Sequence, residues 1–216
     1  MSESPPMTPL SFIRRPHQHR FQAWAPKLSR CIVLTSMPTV QLWAWLEGNP
    51  DIQRYCERPA TTLVNGEERV IDFWFHQGNE ERWWMIHIDG NPLLELESGG
   101  KHLRTITDDH VQFISPQSFE AHKIWIDNWL AILPYLASNA RLVETALMAK
   151  VVENCRTATS LRTIEELHAQ QDRMLVRTAV FMALHRGELL GIDLHEKPWD
   201  LDSEFTQTSH RKFYAA

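Results

Sequence analysis

The stretch RWWMIHIDG, residues 82–90, reads as a β-strand with Trp83, Met85, His87 and Asp89 on one face, because residues i and i+2 of a strand share a side. The strand before it, VIDFWFH at 70–76, sets Asp72 among apolar neighbours. The segment HQGNEER joins the two, with Gly78 and Asn79 as turn residues, and the whole reads as a β-hairpin. Such a hairpin can do chemistry when carboxylates on adjacent strands converge on Mg²⁺ and a lysine on the second strand positions water. Asp72 is the first carboxylate. Two residues apart on one face of the second strand stand Met85 and His87, neither a carboxylate nor a lysine. A thioether cannot serve an ion that wants hard, charged oxygen ligands. His87 can bind a transition metal or act as a base. Asp72, His87 and a glutamate from another position (Glu67, Glu68, Glu80, Glu81, Glu95 or Glu97) would make a workable site. The plainer alternative keeps Asp72 as a hydrogen-bonding residue and the glutamates as a solvated rim.

The elements around the hairpin follow from periodicity. Ser36 is placed as an N-cap with Pro38 near the first turn. Val40, Trp43, Ala44 and Leu46 form an apolar stripe, and Gly48-Asn49-Pro50 ends that helix. Residues 52–64, with Pro59, read as an edge strand or extended loop. PLLELE (92–97) and HVQFIS (110–115) are further strand candidates. From Ser115-Pro116 the pattern turns helical through Trp125, Trp129, Ile132, Leu133 and Leu136, with a break expected near Pro134. Helices are expected over 139–154, 160–170 and 172–186, with Gly187 as the residue just past the last. The end of the chain reads as short strands and turns. The two tryptophan pairs, 83–84 and 125/129, match buried faces better than base-stacking platforms.

Composition bounds the rest. The 216 residues suffice for one large domain or two small ones, with 43% hydrophobic and 23% charged content. No apolar run reaches the roughly 18 residues of a membrane span, and no secretory pattern opens the chain. Cys31, Cys56 and Cys155 fit neither a disulfide framework nor a zinc spacing, so a cytoplasmic setting is expected. Net charge is −5, unevenly spread. Residues 1–35 hold five lysines and arginines against one acidic residue, 36–140 seven against fifteen, and 141–216 ten against eleven. A groove that tracks phosphates should be basic. The N-terminal segment is basic, through Arg14, Arg15 and Arg20, and the middle is not.

The order of these pieces resembles the TnsA family, the endonuclease subunit of heteromeric transposases. SMPTVQ (36–41), WLEGNPDIQRYCERP (45–59), VIDFWF (70–75) and WMIHI (84–88) stand in the family's order. The segment 175–203 is similar to its last helix and wing. The resemblance implies an α/β (α+β) fold: a restriction-endonuclease-like mixed sheet flanked by helices, then a helical winged-helix domain. It implies a flexible basic arm (1–30), an endonuclease-like domain (31–137) and a winged-helix-like domain (138–216). It places the family's metal-binding positions on Asp72, Met85, His87 and Thr39, a degenerate set, so no metal is expected. The implied function is a non-cleaving, pseudo-enzyme subunit of a DNA transposition complex. Its partners would be transposon DNA, an integrase-type transposase and an ATPase regulator.

Two alternatives stay open. One is an active Mg²⁺-dependent nuclease built on Asp72 with a migrated glutamate. The other is a DNA-binding regulator acting through the winged helix alone. In that helix pair Arg173 and Arg177 are one turn apart and expected on one exposed face, with Arg186 at the turn beyond. The candidate nucleic-acid contacts are therefore Arg14, Arg15, Arg20, Arg173, Arg177 and Arg186.

Overall fold

Helix α1 (Met37–Gly48) starts where the sequence predicts. The Ser36 side chain accepts from the Thr39 N–H at 3.3 Å, and the Thr39 hydroxyl accepts from the Ser36 N–H at 3.2 Å. This reciprocal cap satisfies two otherwise orphaned donors. The helix ends at Gly48 with Asn49 as its extended C-cap, and the Trp129 indole lies against the glycine: a Cβ there would sit 2.4 Å from the ring. The computed structural model describes residues 8–11, 19–86, 105–106 and 110–208. Arg14, Arg15, His87, Asp89, Glu95, Glu97 and the PLLELE segment lie outside the described residues.

The segment read as an arm ends in a hairpin, β1 (Phe21–Ala25) with β2 (Arg30–Leu34). Ala25, Ile32 and Leu34 point into the core, which gives the chain a reason to be ordered there. The extended segment around Pro59 forms two strands, β3 (Arg54–Glu57) and β4 (Thr61–Val64). The predicted strand 70–76 is also two: β5 (Glu67–Val70) and β6 (Phe73–Gln77). The chain changes sheets at Ile71–Asp72, since β5 pairs with β4 while β6 pairs with β3 and β7 (Glu80–Ile86). Asp72 thus sits at the break rather than within a ladder. Gly78, at φ +61, lets a two-residue loop join β6 to β7.

A short strand β8 (Thr105–Ile106) runs parallel to β4, and β9 (Val111–Ile114) runs parallel to β7. The main sheet has the order β3-β6-β7-β9. Both faces are apolar. Phe73, Phe75 and Ile86 join the main core, while Trp74, Trp83 and Met85 pack with Cys56, Ala60, Ile71 and Val111 in a second cluster.

Helix α2 (Lys123–Asn139) runs on through Pro134, where a break is predicted. Ile132, Leu133 and Leu136 are buried on either side of the proline, and that packing outweighs one missing backbone hydrogen bond. The interruption falls later, at a 3₁₀ turn over Ala140–Leu142, so the helix predicted over 139–154 is only α3 (Thr145–Asn154). Then come β10 (Thr159–Ser160), α4 (Leu161–Leu167), α5 (Arg173–His185), β11 (Leu189–Gly191) and β12 (Glu204–Gln207). The last sheet is antiparallel with the order β10-β12-β11. One continuous core extends from Ala25 in the first hairpin to Phe205 in the last strand, so α1, α2 and α5 share their buried faces. The molecule is a mixed α/β structure.

Candidate functional site

At the sheet break Asp72 faces a small cleft lined by Leu34, Thr35, Thr39, Glu57, Arg58 and Phe73. The Ile86 N–H donates to Asp72 Oδ2 at 2.7 Å. The register Phe73↔Trp84 carries Met85 opposite Asp72 at the next step. Its side chain, however, points into the second apolar cluster and is 5% exposed. Met85 therefore contributes no atom to the cleft. Burial pushes the Asp72 carboxyl up to about 7, against the pull of the Ile86 N–H and the Arg58 charge. Thr39 reaches the cleft, but its hydroxyl serves the helix cap and also donates to the Ser36 carbonyl at 2.7 Å. Of the four positions the resemblance singles out, the structure brings Asp72 and Thr39 together and leaves Met85 out.

Glu67, Glu68, Glu80 and Glu81 do not line this cleft. Glu68 accepts from the Thr61 hydroxyl at 2.8 Å, and Glu80 pairs with Arg82 at 2.9 Å. The second carboxylate of the cleft is Glu57, the last residue of β3, which the sequence reading passed over. It is 2% exposed and gripped by Arg30 through two bonds of 2.7 and 2.6 Å. Such forked pairs are strong and directional. Arg58 adds a second guanidinium 3.9 Å from Glu57. Its own Nε donates to the Leu10 carbonyl at 3.1 Å, and Nη1 donates to the Val33 carbonyl. Two carboxylates thus face two guanidiniums. The adjacency Glu57-Arg58, flanked by Pro59, was the available signal for this cluster.

The set does not fit a magnesium ion. Met85 is withdrawn, the Thr39 hydroxyl is used by the cap, Glu57 is matched by Arg30, and only Asp72 offers an oxygen with little competition. Among the described residues no three His, Cys, Asp or Glu side chains come together as a ligand set.

A second cluster joins α1 to α5. Glu47, fully buried, has Oε2 2.8 Å from His185 Nε2 and accepts from the Tyr55 hydroxyl through Oε1 at 2.5 Å. Trp43 Nε1 donates to that hydroxyl at 2.9 Å. Lys27 Nζ donates to the Leu46 and Asn49 carbonyls, both at 2.6 Å. Burial holds the Tyr55 hydroxyl well above its usual range. This network ties the first hairpin, β3 and α5 to the end of α1 and acts as a joint.

The arginines are placed unequally. Arg20 is exposed just before β1. Arg173 is exposed at the start of α5, whereas Arg177 is half-buried and bound to Glu165. The two do not share one open face. Arg186 is exposed, with Nη1 3.3 Å from Met148 Sδ. From Val176 onward α5 is buried around most of its circumference. The loop 192–203 is also docked: Asn128 donates to the Leu194 and Lys197 carbonyls at 2.8 and 2.9 Å and accepts from the Trp199 N–H at 2.8 Å. Of the tryptophan pairs, Trp83 and Trp129 are buried, while Trp84 and Trp125 are half-buried. No protein-family model matches the chain, and no curated protein matches it.

Proposed function

We propose that this chain is a TnsA-like subunit of a DNA transposition complex that has lost cleavage and keeps a scaffolding role. The observation that carries the reading is the Met85 side chain. It stands opposite Asp72 in register, where the resemblance expects a metal-binding glutamate, and it is sealed in an apolar cluster. A site in which Glu57 is forked to Arg30 and Asp72 accepts from the Ile86 N–H holds Mg²⁺ weakly. The finer architecture belongs to the same reading. The sheet β3-β6-β7-β9 with α1 and α2 fits a restriction-endonuclease-like core. The order α3, β10, α4, α5, β11, β12, with sheet order β10-β12-β11, fits a winged helix.

In that reading the winged helix serves protein contacts more than base recognition. A recognition helix needs several side chains free to enter a groove, and α5 leaves mainly Arg173 and Met174 exposed. Leu167 and Met174, 60% and 46% exposed, bracket the α4–α5 turn and suit an apolar partner surface. The partners proposed are the integrase-type transposase and the ATPase regulator, with transposon DNA held through Arg20 and the basic N-terminal segment. No described helix is long and apolar enough to cross a membrane.

The test is nicking of supercoiled plasmid carrying transposon ends, with Mg²⁺ or Mn²⁺, with and without the cognate transposase. The expected result is no cleavage by this chain. Cleavage abolished by Asp72→Ala overturns the reading in favour of an active nuclease, and Glu57 is then the carboxylate to examine next.

A further inference from the structure

We infer that the guanidinium of Arg58 occupies the place of a divalent cation in the Asp72 cleft, so that the cleft is a cation site filled by the chain itself. The inference rests on the reading of this cleft as a former metal site. The groups around Arg58 are oxygens of the kind a hard cation takes: the Leu10 and Val33 carbonyls and the Glu57 carboxylate at 3.9 Å, with Asp72 lining the same cleft.

The backbone is built to hold it there. Arg58 has φ +46, a left-handed conformation that non-glycine residues rarely adopt. Three interactions impose that conformation. The Arg58 N–H donates to the Asp72 carbonyl at 2.9 Å, the Leu10 N–H donates to the Arg58 carbonyl at 2.8 Å, and Arg58 Nε returns to the Leu10 carbonyl. The side chain is thus aimed from the bend between β3 and β4 into the gap beside Asp72. Arg30 completes the balance by matching Glu57.

The consequence is exclusion. A divalent ion entering the cleft would add two positive charges to a pocket where two carboxylates already meet two guanidiniums. It could bind only by displacing a guanidinium from well-formed hydrogen bonds. Removing the Arg58 charge should therefore open the site, because Glu57 and Asp72 would then share an unmatched negative charge.

The experiment is calorimetric titration of the full chain with MnCl₂ at pH 8. The proteins are wild type, Arg58→Gln, and Arg58→Gln combined with Asp72→Asn. Glutamine keeps an amide donor for the carbonyls and drops the charge. The expected result is no Asp72-dependent binding by wild type, at least a tenfold gain in Mn²⁺ affinity for Arg58→Gln, and loss of that gain in the double variant. A folded Arg58→Gln protein with no gain overturns the inference and leaves the non-cleaving reading standing. Mn²⁺ binding by wild type that Asp72→Asn removes overturns both. Should Arg58→Gln fail to fold, Arg30→Gln provides the second measurement. Arg58 still fills the cleft in that variant, so Mn²⁺ should leave its melting temperature unchanged, as it does that of wild type, and a rise that Asp72→Asn removes overturns the inference.

Discussion

Helix α1 presents a carboxylate-bearing cluster near each end, and the two are handled in opposite ways. Near its N-terminus Thr39 borders the cleft of Asp72 and Glu57, where the balancing charges are arginines and solvent is close. At its C-terminus Glu47 is fully buried, and its partners are His185, Tyr55 and Lys27. Arg30 is partly exposed at the rim of the first cluster. The partners of Glu47 are locked together, because each belongs to a different core element: the first hairpin, β3 and α5. The first cluster has the layout of a site, the second that of a joint. The largest expected effect on stability therefore lies in the second cluster. Glu47→Ala should cost about 3–5 kcal/mol, the range for removing one partner of a buried charged network. It strands the Tyr55 hydroxyl, His185 Nε2 and the Lys27 amide together. Urea denaturation measures it, and a loss below about 1 kcal/mol would erase the contrast.

Asp72 gives the next effect, with opposite sign. Its carboxyl titrates near 7 in the folded protein, above its ordinary 3.8. Between those values the folded state binds more protons than the unfolded one, so this group lowers stability as pH rises from 4 to 7. Asp72→Asn keeps an oxygen for the Ile86 N–H and removes the buried ionisation. At pH 8 the variant should be more stable than wild type by roughly 1–2 kcal/mol, a figure discounted for solvent near the cleft. At pH 4 the gain should vanish. A variant less stable than wild type at pH 8 would mean that the attraction to Arg58 outweighs the cost of burial.

Much of this contrast could be read from the sequence, and the limits are physical. The cap of α1 is local chemistry between Ser36 and Thr39, so its start was legible. The β6–β7 hairpin was legible because Gly78-Asn79 lies between alternating strands. The β4–β5 hairpin was equally available and went unread: Asn65-Gly66, at φ +52 and +83, is the pair a tight turn demands. The sheet change at Ile71–Asp72 was hidden, because Val70 and Ile71 followed by Phe73, Trp74 and Phe75 read as one strand around Asp72. The unbroken helix through Pro134 was hidden as well, since burial on both flanks overrides a local signal. Met85 was recognisable as a poor ligand, but its withdrawal into the second cluster depends on Cys56, Trp74 and Val111, which no spacing links. Glu57 was missed because its meaning comes from Arg30, twenty-seven residues away. Glu47 and His185 are 138 residues apart, and only the fold unites them.

Lys27 supplies the smallest effect and the sharpest test of what kind of joint α1 ends in. Its ammonium is enclosed between the Leu46 and Asn49 carbonyls at the end of the helix. Burial lowers its pKa from 10.5 to about 7, while Glu47 and Asp51 pull it back up. The unfolded chain keeps this proton to about 10.5, so between 7 and 10.5 it binds more protons than the folded protein, and stability rises with pH. That slope is opposite to the one Asp72 imposes below 7. Lys27→Met removes the titration and leaves two carbonyls without their donor. The variant should be destabilised, and its deficit relative to wild type should widen by about 1 kcal/mol between pH 7 and pH 10. Parallel urea melts at those two values measure the widening. A deficit that stays constant would mean that Lys27 remains charged throughout, held by the negative end of the helix and by Glu47. The joint would then be ionic, like the cleft at the other end of α1, and the distinction between the two clusters would reduce to solvent access alone.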